Sequence, residues 1–362
     1  MKDVPERYSH GDLVAFAARC LVASDVDGEI ASVVARRVVD ADLFGHDTHG
    51  LALLPRYLME IEEGITSRRG RIETVCERGP CLLWDAGMLP GHWVLEKAFT
   101  AAMERVPSYG VANIAVRRCQ HVGALQVYLT MATDRGYMCV LWVTDSQVRS
   151  VAPFGGLDPV LTSEPIAAGI PTRSMPILVD TTTSLTSNGY AKRAHARGEK
   201  LPWPALLSAA GEVSDDPSVL FTDPPGTILP LGGITHGHKG YAIAMLVSAM
   251  SLALPGFGRL SGEKAQGFFL QLIDPDAFAG RGAFLDETEW MAEATRNSRS
   301  RKPGESVRVP GDGARTRADR QMRDGLHISR EICDAIAPWA RKLQVQFPEP
   351  LPQDNPTKAF QA

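Results

Sequence analysis

The strongest constraint on the fold is a set of short, β-branched, largely apolar runs in the middle of the chain. VANIAVRR begins at Val111, MCVLWVTD at Met138 and MPILVDTTT at Met175. Each has the length of a buried strand and is too short for a stable helix. A helical pattern over 122–135 separates the first two, and QGFFLQLIDP from Gln266 reads as one more strand. Ahead of them, GPCLLWDAG reads as a strand leading to a turn and HWVLEKAFTAAMERVPSYG as a helix. Buried strands interleaved with helices predict an α/β (mixed α+β) chain with a sheet enclosed by helices.

The flanks differ. Ser9 or Asp12 is placed to cap a helix running to residue 23, and Asp25 a second helix. A third is expected over 51–63, stopped by Gly64. HKGYAIAMLVSAMSLAL, from His238, predicts a long apolar helix at the centre of the core. Residues 292–320 read as a polar, exposed excursion, REICDAIAPWARKL as a closing helix, and FPEPLPQDNPTKAFQA as a frayed end. The expected organisation is an N-terminal helical region over 1–75 and a central cofactor-binding sheet domain over 76–290. Residues 291–345 then hold the exposed segment and a closing helix packing back on the N-terminal region, and 346–362 a frayed tail.

Composition narrows the function. A hydrophobic content of 44% and a charged content of 22% are those of a globular protein. A net charge of −4 supplies no basic field, so no nucleic-acid partner is expected. No apolar run approaches the ~18 residues of a membrane helix, so no membrane partner is expected. MKDVPERYSHGDL has no signal-peptide core, and the 6 cysteines are scattered. They read as free thiols, hence a cytoplasmic protein.

A dinucleotide fingerprint of the G-x-G-x-x-G type after a strand is missing, and GFGRLSG has the wrong spacing. Tyr190 has lysine two residues on, at Lys192, and so forms no Tyr-x-x-x-Lys pair. His236 and His238 alternate like ligands but have no third partner in sequence, so no metal is expected. Three clusters remain. GHDTHG carries His46 and His49, RRCQHVGAL carries His121 between a strand and a helix, and PLGGITHGHKGY brackets His238-Lys239 with glycines at an expected helix start. Lysine and open N–H groups at a helix N-terminus suit a phosphate. The plain alternative for each is a helix-end histidine or an ordinary glycine turn.

In their order these clusters resemble the malate/L-lactate dehydrogenase family of the second, non-Rossmann type. That family includes malate, sulfolactate and ureidoglycolate dehydrogenases, diketogulonate reductase and the cyclic-imine (piperideine-2-carboxylate) reductases. ADLFGHDTHGLALLPRYL is similar to its aDl-G-H-x-S-H-G signature, and QHVGALQVYLTMATDRG to its H-F/Y-G segment. VAPFGG, EPIAAGIP, ILVDTTTS, LPLGG with HKGYAIAM, and VRVPGDGARTRADRQMRDGLHIS follow in the family's order. The resemblance spans about residues 10–345. It implies a mixed sheet, surrounding helices, an interwoven homodimer, a small-molecule substrate, and NADP or NAD as cofactor. By position, His49 corresponds to the proton donor, Thr48 to its helper, and His121 to a histidine assigned as base in some members. Ser146, Pro176, Ile177, Val179, Asp180, Thr181, Thr182, His238, Lys239, Gly311, Asp312 and Gly313 correspond to cofactor contacts, as does His121. Arg315 and Arg317, beside the PGD turn, are candidate partners of a 2′-phosphate, which puts NADP slightly ahead of NAD; the alternative is a solvated arginine cluster.

The chain departs from the pattern on the substrate side. The family's arginine four residues after the motif histidine, which clamps a carboxylate, is Leu53 here. The motif serine is Thr48, G-T-N-P reads Thr162-Ser163-Glu164-Pro165, and N-S reads Asp145-Ser146. Tyr190 stands where the imine reductases carry a catalytic Lys or Asp. Leu53, Ser163 and Tyr190 are therefore the expected substrate residues, with Tyr190 also a candidate catalytic group. The reading is an NAD(P)H-dependent reductase of a C=O or C=N bond whose substrate is not held by an arginine clamp. Two alternatives stand beside it: an ordinary 2-hydroxy-acid dehydrogenase in which Arg56 replaces the clamp, and a cofactor-binding protein without catalysis.

Overall fold

The computed structural model describes residues 6–352. They divide by packing into two units, residues 6–69 with 313–352, and 70–312. The first opens on helix α1 (His10–Ala23), where the Ser9 hydroxyl accepts the Asp12 N–H at 3.4 Å. Leu13, Phe16, Ala17, Cys20 and Leu21 line its buried face at helical spacing. Helix α2 (Gly28–Phe44) is capped by Asp27, whose carboxylate accepts the Glu29 N–H at 2.9 Å. Asp25, expected to be that cap, lies in the preceding turn at φ +65. Gly45 ends α2 in the left-handed region at φ +88, which glycine adopts without steric cost. The helix expected over 51–63 is a 3₁₀ turn, Leu51–Leu53, followed by α3 (Leu54–Glu62) with proline in its first turn.

The second unit is built on strands β1 (Glu73–Arg78), β2 (Cys81–Asp85), β3 (Val111–Cys119), β4 (Met138–Asp145), β5 (Ile166–Ile170), β6 (Ile177–Thr181) and β7 (Gln266–Ile273). Their order in one sheet is β1-β2-β3-β7-β4-β5-β6. The β2–β3 pair is parallel and the other pairs are antiparallel, so the sheet is mixed as expected. β7 is central, and Phe268, Leu270 and Leu272 on it are fully buried. Each such side chain contributes about 2 kcal/mol of apolar burial. Helix α4 (Gly91–Tyr109) packs on β3, and its Phe99 stacks on Tyr128 of α5 (Gln126–Thr133) at 6.3 Å. Helix α6 (Asn188–Ala196) follows β6, and α7 (Gly233–Ser248) continues into a π-helical turn, Ala249–Ala253. That turn lies hard against β7, for a Cβ on Gly267 would fall 2.1 Å from the Ser251 carbonyl oxygen. Only glycine allows the approach.

The sequence places α7 at the centre of the core, and the structure corrects this. Its buried residues are Gly237, Gly240, Ala244 and Val247, while Ile234, Ile243, Met245 and Leu246 are exposed. Small residues sit on the inner stripe because the backbone approaches closely there. The polar excursion expected over 292–320 is also shorter. Helix α8 (Arg281–Arg296) precedes it and α9 (Asp312–Asp324) ends it.

After α9 the chain completes the first unit with α10 (Arg330–Leu343). Gln321 on α9 donates to the carbonyl oxygens of Asp42 and Leu43 at 3.0 and 2.9 Å. The frayed tail expected over 346–362 does not hold for 346–352. The Phe347 ring packs edge-on against Tyr8 and Phe16, and the Leu351 N–H bonds the Arg7 carbonyl at 2.7 Å. The remainder, 353–362, lies outside the described residues. No helix among the described residues is long and apolar enough to cross a membrane.

Candidate active site

In the first unit the GHDTHG segment forms a tight loop between α2 and the 3₁₀ turn. The His46 N–H bonds the Ala41 carbonyl and the His49 N–H bonds the His46 carbonyl, both at 2.7 Å. Thr48 Oγ1 lies 2.9 Å from His49 Nδ1. That contact engages Nδ1 and orients the ring. Burial pushes the His49 imidazolium down to about 4; His46 and Arg56 lower it further, while Asp47 opposes them. His49 is therefore neutral at pH 7 in the protein as it stands.

Leu53 is half-buried at the end of the 3₁₀ turn, directly before α3. The charge of Arg56 reaches His49. Its Nε donates to Glu60 at 2.8 Å, an i,i+4 pair along α3.

In the second unit β6 gathers three segments that are far apart in sequence. The Leu178 N–H bonds the Pro310 carbonyl at 2.9 Å, and the Leu178 carbonyl accepts from Gln126 Nε2 at 3.0 Å. Asp180 Oδ2 accepts the Gln126 N–H at 3.0 Å, which seats this carboxylate on the first turn of α5. His121 is half-buried in the loop before α5; it accepts the Gly123 N–H on Nδ1 at 3.3 Å and meets His92 edge-on at 6.5 Å. Gly311 turns at φ +100 against Leu178, where a Cβ would lie 2.9 Å from the leucine Cβ. Asp312 is held in two contacts by Arg296 at 2.8 and 3.1 Å and accepts the Val309 N–H at 3.0 Å. Those bonds hold the Asp312 carboxyl well below the usual carboxylate range. Its side chain shapes the PGD turn. Thus Pro176, Ile177, Val179, Asp180, Thr181, Gly311 and Asp312 share one edge of the sheet.

A second joint lies at Thr183. Its N–H and its hydroxyl both donate to the Ser163 carbonyl at 3.0 Å, and its own carbonyl accepts the Leu231 N–H at 2.8 Å. Thr182 donates to the Ser184 carbonyl at 3.1 Å in the same bend. Asn188, at the start of α6, reaches Thr162 Oγ1 at 3.4 Å and Ser163 Oγ at 3.5 Å. Tyr190 is exposed in the first turn of α6 with the Arg193 guanidinium 5.9 Å over its ring. The expected substrate residues Ser163 and Tyr190 are thereby joined to the end of β6.

Two expected contacts are placed differently. Lys239 is exposed on α7, but the helix begins at Gly233 behind the left-handed Gly232 (φ +98), so His238 and Lys239 lie in its second turn. They offer side chains there, with their amides inside the helix. His238 meets Phe154 edge-on at 5.5 Å. Ser146 is fully buried, and its hydroxyl donates to the Glu263 carbonyl and accepts the Ala265 N–H at 3.2 Å, which shapes that loop. Gly313 and Arg315 belong to the first turn of α9, and Arg317 donates to the Phe44 carbonyl at 3.1 Å.

Motif reading passed over Gln126, Asn188 and the buried pair Glu164–Arg259. Glu164, fully buried at φ +42, accepts from Arg259 at 2.8 Å, from Ser248 at 3.0 Å and from Thr144. Burial pushes its carboxyl up and these partners draw it back. Arg259 compensates a carboxylate standing where the resemblance implies an amide, and removing either partner would strand a buried charge. The one sequence signal was Glu164 itself, an acid between small residues and a proline.

Known proteins share the sequence pattern and the fold. A family model described as malate/L-lactate dehydrogenase matches residues 8–337. The chain is 29% identical to an L-lactate dehydrogenase of Cupriavidus necator over 91% of its own length and 95% of that protein. Its fold is that of a malate dehydrogenase from Entamoeba histolytica, with TM-score 0.89 at 22% identity over 96% of this chain and all of the other. It is also that of delta1-piperideine-2-carboxylate reductase from Pseudomonas syringae pvar. tomato, with TM-score 0.82 at 24% identity over 92% and 100% of the two chains.

The state of His49 has a measurable consequence. A histidine whose folded value lies below its ordinary one adds stability that is full above about pH 6.5 and is lost as the pH falls toward 4. His49→Asn should flatten acid unfolding in that window, lower kcat by at least ~100-fold, and leave NADPH affinity within about twofold. Near-normal kcat would move the proton-transfer role away from His49.

Proposed function

The chain belongs to the malate/L-lactate dehydrogenase family, and we propose that it moves hydride between NAD(P)H and a C=O or C=N carbon of a substrate not held by an arginine clamp. The observation that carries this reading is His49, neutral, with Nδ1 against Thr48 at 2.9 Å. If Nδ1–H donates to Thr48, Nε2 has a lone pair to accept a proton from an alcohol or amine. In the reverse direction the ring delivers a proton from Nε2 as the imidazolium, the form that burial disfavours, so that proton is readily given up to oxygen or nitrogen. One geometry serves oxidation and reduction.

The residues present suit a nicotinamide dinucleotide. Asp180 is an acceptor for ribose hydroxyls, Thr181 an exposed hydroxyl beside it, and the glycine at Gly311 lets the PGD turn close onto the same strand. Lys239 is a cationic partner for phosphate, and the arginine that follows the PGD turn in sequence, Arg315, favours NADP over NAD. When bound, the nicotinamide supplies or takes the hydride.

The substrate side supports an unusual ligand. An aliphatic Leu53 gives a carboxylate no partner, and a buried carboxylate without one is costly. In the second unit, Tyr190 carries an exposed phenol ring. The second reading, a 2-hydroxy-acid dehydrogenase, is favoured by Arg56, whose charge reaches His49, although its Nε is engaged with Glu60.

We also infer a homodimer. Ile234, Ile243, Met245, Leu246 and Leu254 form an exposed apolar surface along α7 and its extension, and a second copy would cover it. The reading places the protein in the cytoplasm, which suits the free cysteines found among the described residues.

Two measurements test this. Light scattering at micromolar concentration should give about twice the 39.2 kDa chain mass; a monomer contradicts the dimer. In steady-state kinetics with NADPH, pyruvate and oxaloacetate should give kcat/KM well below ~10⁴ M⁻¹s⁻¹, and a cyclic imine lacking a carboxylate should exceed both by at least tenfold. Leu53→Arg should raise the 2-oxo-acid values. Wild-type turnover of pyruvate or oxaloacetate at or above that level would return the protein to the hydroxy-acid dehydrogenases.

A further inference from the structure

Asp42 is a charged residue on the inner side of α2, where Arg37, Val38, Val39, Ala41 and Leu43 are also buried. It clasps both ends of the motif loop. Its backbone carbonyl accepts the Gly45 N–H at 2.9 Å, and its Oδ2 accepts the Leu51 N–H at 2.7 Å. Gly50 lies directly over the carboxyl, so that a Cβ there would fall 2.2 Å from Oδ1. Oδ1 is buried and has no hydrogen-bond partner among the described residues.

The surroundings disfavour a charge. The Leu51 amide is the donor to the carboxyl. Asp47, from the loop, adds a second negative charge nearby. From α9, Gln321 donates to the backbone carbonyl at 3.0 Å, and Arg317 to the Phe44 carbonyl at 3.1 Å. On the preceding turn of α2, Arg37 is 3.7 Å from Asp40, which also pairs with His10 at 3.0 Å. His46 and His49 are the remaining titratable groups of the loop. A buried carboxyl with one amide donor and a neighbouring anion is held more easily as the neutral acid.

We propose that Asp42 is a positioning residue that works as a neutral acid, holding the loop over 45–51, and with it His49, in the working arrangement until its proton leaves to solvent. The proposal rests on the dehydrogenase reading only in giving His49 the proton-transfer role. Burial pushes the Asp42 carboxyl up to about 8; the Leu51 amide lowers it and Asp47 raises it. A folded value above the ordinary one means stability that is greatest in acid and is lost as the pH rises from about 4 to about 8. Ionisation therefore loosens this loop on the alkaline side.

The test is a titration of the full-length protein, with histidine ring carbons labelled and followed by NMR from pH 5.5 to 9.5. The wild-type His49 resonance, identified by its loss in His49→Asn, should show an inflection near pH 8. Asp42→Asn, which keeps an acceptor for Leu51 but does not ionise, should abolish it. Asp42→Ala should shift the resonance at every pH; should that variant not fold, the asparagine variant decides. In NADPH oxidation with the best substrate of the panel above, kcat at pH 9 should be about one tenth of its pH 7 value in wild type, and the two should stay within about twofold in Asp42→Asn. An inflection that survives in Asp42→Asn, or none in wild type, overturns the proposal. A protein that oxidises NADPH with no panel member ends the dehydrogenase reading, and the His49 titration still decides Asp42.

Discussion

The edge of the main sheet organises the second unit. β6 pairs with β5 along one side, and a strand left open on the other would expose N–H and C=O groups that seek partners. Here the outer groups of Leu178 are satisfied by Pro310 and Gln126. Two backbone requirements thus draw the loop after His121 and the PGD turn onto the strand carrying Asp180. Gly311 makes the second approach possible, because any side chain there would strike Leu178.

The same logic continues past the end of the strand. Thr183 ties the Ser163 carbonyl to the entry of α7, and Asn188 ties the start of α6 back to Thr162 and Ser163. The end of β6, the 162–165 segment and the starts of α6 and α7 therefore share one hydrogen-bonded frame. Glu164 and Arg259 lie within it, so the substrate-side departures in sequence come with an internal compensation. Without Arg259 the buried Glu164 carboxylate would lack its cation.

Legibility in the sequence followed the hydrophobic pattern. β3, β4, β6 and β7 stood out because buried strands read as apolar runs. β1 did not, since all six of its residues are exposed. α6 and α8 carry two buried residues each and so show little periodicity. The α7 segment was legible as a helix but misplaced, because apolar composition says how much surface seeks cover and not whether this chain provides it. Of the site, the His49 loop, the Asp180 strand and the Gly311 turn were visible as motifs. The roles of Gln126, Asn188 and Arg259 depend on neighbours distant in sequence, and Lys239 moved into the second turn because the helix starts earlier than its glycines suggest.

On the proposed function, the β6 edge, with the PGD turn closed onto it, binds the nicotinamide dinucleotide. Hydrogen exchange with and without saturating NADPH tests it most directly. Amides are the right reporters, because the Leu178 N–H and the Val309 N–H are themselves bonds of this frame. Slowed exchange over 176–182 and 309–313, with little change over β1, is the predicted result. Saturable NADPH binding that leaves both segments unchanged, or no binding at millimolar NADPH, would contradict it.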